Sequence, residues 1–502
     1  MLPQYKISKK EIRIFEVIPG LLVWLAFALP LIGIFIFPNI ISYIIILFEI
    51  YWFFRSIGIS KNLIVGYRRL QKELRVDWLK KLKNSNIDFE SIHHVIIIPA
   101  YNEGKEILQP SLDALTKLEY DLKKIWVVLT VEERGGKEID TISKELESSY
   151  QHFFGKFFRI THPDGIPGEA KAKGANITYA AKIVEKEIEA EGLDFKKVLI
   201  SSIDSDAAMH PQLIAHFTYT FLTTSSPHQR LFQFIPLYHN NFWDAPSFSR
   251  IIAMGCSFWS MIESTREYRL RTFACYGMSW LNLKEAEYWD VKSIIEDGVQ
   301  YWRNIFAQKS KVQFVQPVYS VVYMDAVLDD TLWGTMKAQY KQLRRWAWGA
   351  SDLAYITPYF RRMKDFSFRE KFQYIGLLIE NHFTWATVPL LLLFSGQLPL
   401  LNRTFSETVF GGNIPSYTSW ILTATLSGLF ATIYISLILL PKLTKKKRKK
   451  SSFLRYILHI FSFIFVPIIT IVYGALPSLH SQTQLMLGKR MESFVVTVKK
   501  RK

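Results

Sequence analysis

Cysteine is nearly absent from this chain: two in 502 residues, Cys256 and Cys275. That scarcity excludes a disulfide framework and suits a reducing compartment for whatever surrounds them. Acidic residues are also short, 44 against 62 lysines and arginines, for a net charge of +18. Charge of that sign would suit a nucleic-acid partner, but charged residues make up only 21% of the chain, against 49% hydrophobic and 15% aromatic. A nucleic-acid binder of this charge would be more polar, so no nucleic acid is expected as a partner. Internal repeats are missing, and the only low-complexity segment is a lysine run. What the chain has instead is long apolar stretches alternating with basic clusters. That is the pattern of a multi-pass membrane protein whose cytosolic side is rich in lysine and arginine.

Five stretches are long and apolar enough to meet the membrane: 17–37, 40–54, 373–395, 417–440 and 453–476. Ala26-Phe27-Ala28 resembles a signal-peptide cleavage site, but hydrophobicity continues well past it, so the first stretch reads as a retained span. Lys9, Lys10 and Arg13 precede the first span, and Arg55, Lys61, Arg68, Arg69, Lys72 and Arg75 follow the second. Both flanks are therefore expected in the cytosol, as is the run KLTKKKRKK at 442–450, which would also contact anionic lipid heads. If all three late segments crossed fully, the basic tail would end outside. The expectation is that one of them, 453–476 with Pro467 in its middle, is re-entrant or interfacial.

Between about 91 and 350 the pattern changes. Short β-branched runs at 93–100, 124–130, 156–162, 197–203 and 231–237 alternate with amphipathic stretches. This predicts a mostly parallel sheet with helices on both faces, whose ligands sit at the carboxyl ends of the strands. The turn after the first run is PAYNEG, with Tyr101, Asn102 and Glu103. After the second comes VEERGG, with Glu132 and Glu133. A Gly/Pro loop then leads into Lys171, Lys173 and Asn176 at a helix start, where cations and free N–H groups suit a phosphate. After the fourth run, Asp204 and Asp206 stand two apart. Two such carboxylates repel and are costly to desolvate, so a packing role is a poor explanation. They suit a hard divalent cation, Mg²⁺ or Mn²⁺, whose remaining ligands are substrate phosphates and water. Each turn by itself is ordinary; together, at strand ends, they describe a nucleotide-phosphate site.

The order PAYNE, acidic pair, KAKGAN, DSD, then IIEDGVQYW (294–302) and QLRRW (342–346) resembles the family 2 glycosyltransferases. More narrowly, it is similar to the processive membrane synthases of the cellulose, chitin and hyaluronan type, over residues 90–350 and the flanking membrane segments. FVVTVK at 494–499 is similar to the gating loop of cellulose synthases at Phe494, Val496, Thr497 and Lys499. The resemblance implies a GT-A nucleotide-binding domain inserted between transmembrane helices. It divides the chain into two spans (1–55), a basic cytosolic linker (56–90), the GT-A domain (91–330), interfacial helices (331–372), late membrane segments (373–485) and a cytosolic tail (486–502). Tyr101, Glu103 and Glu132 would face the base and ribose, Lys171 the nucleotide, Asp204 the donor and the metal, and Asp206 the metal. Asp297, beside Glu296, would be the general base. Gln342, Arg345 and Trp346 would form the element that pairs with the diphosphate and stacks the acceptor sugar. Cys275 would lie near the acceptor, and Phe494, Thr497 and Lys499 would close over the nucleotide.

Three departures from the family pattern are visible: Glu132-Glu133 replaces an aspartate pair, Ile295 replaces a threonine, and the gating motif is the last element of the sequence. Control by an attached cyclic-dinucleotide sensor is therefore not expected. One base and no nucleophile implies direct displacement with inversion. The implied partners are a nucleotide-sugar donor, a growing glycan and membrane lipids. The alternative acceptor is a membrane lipid, a polyprenyl phosphate or ceramide, glycosylated once. An inactive scaffold would not retain Asp204, Asp206 and Asp297. The sugar, the linkage and the oligomeric state are not legible.

Overall fold

The computed structural model describes residues 2–309, 314–428, 430, 432–435, 438, 452–491 and 497–501, without the side chains of 452–456. The chain forms two compact units. The first comprises Met1–Lys6, Arg68–Ala338 and Met491–Lys502, and the second Ile7–Tyr67 and Gln339–Arg490.

The first unit is built on an eight-stranded mixed sheet. Its strands are β1 (His93–Ala100), β2 (Ile125–Glu132), β3 (Lys156–His162), β4 (Val198–Ser202), β5 (Ala208–Met209), β6 (Leu231–Tyr238), β7 (Tyr276–Ser279) and β8 (Val315–Met324). They lie in the order β3-β2-β1-β4-β7-β6-β8-β5. All eight residues of β2 and all eight of β6 are buried, which is why these strands read as continuous apolar runs instead of alternating ones. The first half of the sheet is parallel, with β1 pairing β2 on one side and β4 on the other. From β4 onward antiparallel pairs enter, at β4–β7, β6–β7 and β5–β8. The expected mostly parallel sheet is thus parallel in one half and mixed in the other. Because the chain passes from β1 to β2 and β3 on one side and only then to β4 on the other, β1 and β4 flank a switch point in strand order, where the turns at the carboxyl ends diverge and leave a crevice. Glu132 sits at the end of β2 in register with His162, so three strand ends border that crevice.

The second unit is helical. Four described helical stretches are long and apolar enough to cross a membrane: Lys9–Ile36, Pro38–Glu73, Phe368–Leu401 and Ile457–Met486. Leu29, Ile32, Phe35, Ile36, Leu47 and Phe54 are exposed on the first two, an apolar surface that water would not favour and lipid would. The helix Pro38–Glu73 runs on through the basic stretch after residue 55. Of the stretch 417–440, helix Val409–Leu426 covers the first part; much of the remainder, and the run 442–450, lie outside the described residues. The helix Phe368–Phe394 starts on a capping box between Ser367 and Glu370, which satisfies two of its orphan N–H groups. Polar side chains near the helix ends pair among themselves: Glu11 with Arg361 at 3.2 Å and Arg362 at 2.7 Å, and Glu16 with Arg490 at 2.8 Å.

Candidate active site

The site builds from the turn after β1. Tyr101 N–H donates to Glu103 Oε2 at 2.6 Å, and Ser205 Oγ donates to Glu103 Oε1 at 3.1 Å. Glu103 therefore laces the first turn to the aspartate turn. That second turn is held from below by Ile203 N–H donating to Ile97 O and by Ser111 Oγ donating to Ser205 O.

Lys173 is the hub. Its ammonium lies 2.9 Å from Asp204 Oδ1, 3.1 Å from Glu296 Oε1 and 3.4 Å from Asp297 Oδ1. It opens the helix Lys173–Ala190. Gly174 lets that helix start press against its neighbours, since a Cβ there would meet Asp290 O at 2.6 Å and Glu296 Cβ at 3.1 Å. Glu296 and Asp297 begin the helix Glu296–Gln308, and Thr272 Oγ1 donates to Asp297 O at 2.7 Å. Burial, then the adjoining Glu296 carboxylate, push Asp297 well above the usual carboxylate range, while Lys173 pulls it down. A carboxylate whose proton affinity is raised in this way is a stronger base once ionised, which suits proton abstraction.

Asp206 is fully buried. Its Oδ2 accepts the Asp325 N–H at 2.7 Å and its Oδ1 meets Lys499 Nζ. Asp325, buried at the end of β8, is chelated by Arg501 at 3.0 Å. Burial and the Asp206 charge push Asp325 up to about 6, against the pull of Arg501. Arg501 also donates to Asp206 O at 3.1 Å, and Asn241 Nδ2 donates to Lys500 O at 3.0 Å. The tail thus runs across the aspartate turn, with Lys499 as the counter-cation of Asp206. Thr497 is half-buried on the same segment, and Phe494 lies outside the described residues. Among the described residues no three His, Cys, Asp or Glu side chains form a ready metal cage. Asp204 and Asp206 nonetheless fit a hard cation by donor type, and Lys499 Nζ already occupies a cation position on Asp206.

At the other end of the crevice, Arg134 pairs with Glu132 and its guanidinium lies over the Tyr101 ring, 4.3 Å from the centroid. Lys171 is exposed on the loop and pairs with Asp164 at 2.9 Å, so of the two nearby lysines it is Lys173 that reaches the carboxylates. Cys275 is fully buried in a left-handed conformation, φ 52°. Buried Gln233 holds that bend, donating to Ala274 O at 3.0 Å and accepting from Phe273 N–H at 2.9 Å. Burial pushes the Cys275 thiol up, so it is inert as a nucleophile.

Gln342, Arg345 and Trp346 belong to the second unit, on the helix Leu332–Ala347, where Gln342 Oε1 accepts from Gln339 Nε2 at 3.0 Å. Sequence reasoning missed Asp325, Asn241, Arg134 and Arg501 as site residues. Their signals are slight: a lone aspartate ending a strand, an Asn pair, and arginines inside segments read as merely acidic or basic.

No family model matches the chain, and no protein of curated function matches it. Among solved structures, a mannosyltransferase from Pyrobaculum calidifontis, in complex with GDP-Man and Mn²⁺, is similar at 12% identity and a TM-score of 0.44, over 79% of this chain and 99% of that one. TarS 1–349 of S. aureus is similar at 12% identity and a TM-score of 0.35, over 69% of this chain and 91% of that one. Its complex with UDP-GlcNAc matches 79% of this chain at the same score.

Proposed function

We propose that this chain is an inverting, membrane-embedded family 2 glycosyltransferase of GT-A fold. It takes a nucleotide sugar, UDP-linked in the first instance, extends a β-linked polysaccharide and exports it through its own membrane helices. The observation that carries this reading is the Lys173 cluster: one buried ammonium within 3.4 Å of Asp204, Glu296 and Asp297. It ties a donor-side carboxylate to a candidate base, as sugar transfer by direct displacement requires.

In this reading Tyr101 and Glu132 border the base, Glu103 fixes their turn, and Asp204 orients the donor sugar. Asp297 takes the proton of the acceptor hydroxyl as that oxygen attacks the anomeric carbon, and its raised affinity for protons favours that transfer. Lys173 holds Asp297 and Asp204 in one geometry. Asp206 would hold Mg²⁺ or Mn²⁺ with Asp204; when bound, that ion neutralises leaving-diphosphate charge. The family resemblance assigns Arg345 to the diphosphate, as a fixed positive charge, and Trp346 to the acceptor ring, as a flat face. Lys499 and Thr497 ride on a tail that covers the site and withdraws with the departing nucleotide.

The test is a donor screen by nucleoside-diphosphate release from purified protein in nanodiscs, followed by product sizing. The expected result is release with one UDP-sugar and a product that lengthens with time. Release that yields only a lipid bearing a single sugar would replace the polymer reading with lipid glycosylation. Silence with every nucleotide sugar, metal present, would end the transferase reading.

A further inference from the structure

We infer that the second unit carries a binding site for one anionic glycerophospholipid. Lys10, Arg361 and Arg362 hold its phosphate, and its acyl chains lie along the outer face of the helix Lys9–Ile36. This rests on the membrane reading of that unit and is independent of the sugar chemistry proposed above.

Three observations converge on it. First, the start of the helix Lys9–Ile36 and the end of the helix Asp352–Arg362 meet around an open pocket of about 500 Å³. It is lined by Ser8, Lys10, Glu11, Ile14, Arg361 and Arg362, three cations against one carboxylate. Second, that carboxylate is an incomplete counter-ion. Arg362 chelates Glu11, donating to Oε1 at 2.9 Å and to Oε2 at 2.7 Å. Arg361 reaches the same Oε1 once, at 3.2 Å, with 63% of its side chain exposed, and Lys10 is exposed beside them. Two positive charges are left over, on guanidinium and ammonium groups suited to phosphate oxygens. Third, the pocket stands at headgroup depth above an apolar track. The apolar run of this helix opens at residue 17. At about 1.5 Å per residue, Ile14 lies about 5 Å and Lys10 about 10 Å outside it, within the headgroup layer. Ile14 is 54% exposed, and Leu21, Leu25 and Leu29 are exposed in turn beyond it, at spacings that keep all four on one helix face.

A phospholipid answers both parts at once. Its phosphate meets the surplus cations, and its acyl chains meet the apolar face that Ile14 begins. Ser8 Oγ accepts the Glu11 N–H at 3.1 Å, which leaves the hydroxyl proton to donate to a phosphate oxygen. A zwitterionic headgroup would bring a further cation into a pocket already in excess of positive charge. A soluble phosphate would leave the apolar face in water. The occupant that satisfies charge and surface together is an anionic lipid, the partner expected of basic pockets between membrane helices.

The experiment titrates the full chain in dodecyl maltoside micelles with phosphatidylglycerol or phosphatidylcholine and counts bound lipid by native mass spectrometry. At about fivefold per surplus charge, one phosphatidylglycerol should be held about 25-fold more tightly than phosphatidylcholine. Lys10→Gln combined with Arg361→Gln should remove that preference; both side chains are exposed, so the fold should survive. Glu11→Gln should strengthen the preference about fivefold, a gain that a purely structural ion pair would not give. The basic run 442–450 also attracts anionic lipid, so the deciding quantity is the change between the native chain and its variants. No preference in the native chain, or a preference that survives the double variant, would overturn the site. Displacement of phosphatidylglycerol by millimolar inorganic phosphate would make the pocket a soluble-anion site and overturn the lipid assignment. A chain that stays soluble without detergent would overturn it together with the membrane reading.

Discussion

Lys173 decides most of what the site can do at the scale of single residues. Its carboxylate partners are largely buried, Glu296 with 4% of its side chain exposed and Asp297 with 27%. Removing the cation leaves three carboxylates facing one another. Lys173→Met should destabilise the fold by about 3–5 kcal/mol, the cost of breaking a buried pair from one side, read as a lowered denaturation midpoint. It should also shift the pH profile. Lys173 pulls Asp297 down, so without it the carboxyl holds its proton to higher pH. The base is lost as pH falls through its pKa. The acid limb of kcat/KM should therefore already sit above the ordinary carboxylate value of about 4 and move further up in the variant. A purely structural role would lower the rate at every pH and leave the limb in place. Asp297→Asn isolates the base itself: nucleotide affinity should persist while transfer falls by about 10²–10⁴-fold. A parallel fall in nucleotide affinity would make Asp297 a donor ligand. In Asp206→Asn, volume is kept and charge lost, so turnover should vanish while the fold survives, and excess EDTA should have the same effect on the native protein.

At the scale of elements, what was legible depended on burial pattern. β1, β2, β4 and β6 announce themselves as apolar runs because both sheet faces are covered, whereas the edge strand β3, only partly buried, still occupies Lys156–His162 as its sequence pattern predicts. β7 does not, being four residues with a glycine, YGMS. β8 is blurred by Pro317 and by a register shift against β6 between Gln233 and Ile235. Missing β8 also hid Asp325, since a carboxylate is recognised as part of a site only when its strand is placed in the sheet. The motifs at strand ends were legible because turns carry the chemistry, whereas side-chain reach was not: Lys171 and Lys173 look equivalent in KAKGAN, and only the start of their helix separates them. The tail is the element whose role is most exposed to test. Its residues 497–501 meet buried carboxylates, Lys499 on Asp206 and Arg501 on Asp325. Truncation after Gly488 should lower turnover strongly and leave the protein folded, because the sheet and its core do not include the tail. Unchanged turnover would reduce the tail to a bystander.

For the molecule as a whole, the two units constrain how the chain threads a membrane. The first unit contains both termini as well as the sheet: Leu2 N–H donates to Glu287 Oε1 at 3.2 Å, and Lys499 meets Asp206. Residues 7–67 therefore leave this unit and return to it, as do residues 339–490. A polar folded unit lies on one side of a bilayer, so each excursion must make an even number of full crossings. The helices Lys9–Ile36 and Pro38–Glu73 satisfy this as a hairpin. In the second excursion, Phe368–Leu401 and Ile457–Met486 satisfy it as a pair, provided that the chain between them makes no net crossing. If the basic flanks Lys9, Lys10 and Arg13 are cytosolic, as their charge leads one to expect, the tail is expected there too. Lys500→Cys, in a background with Cys256 and Cys275 replaced by serine, should resist a membrane-impermeant thiol reagent in sealed cells and react once the membrane is opened. A cysteine placed at 438 should separate the alternatives on the late segments, because a re-entrant loop starting from the far side exposes its flanks there. Labelling of residue 500 from outside would break the even-crossing rule, and with it the claim that the tail serves the same site as the sheet.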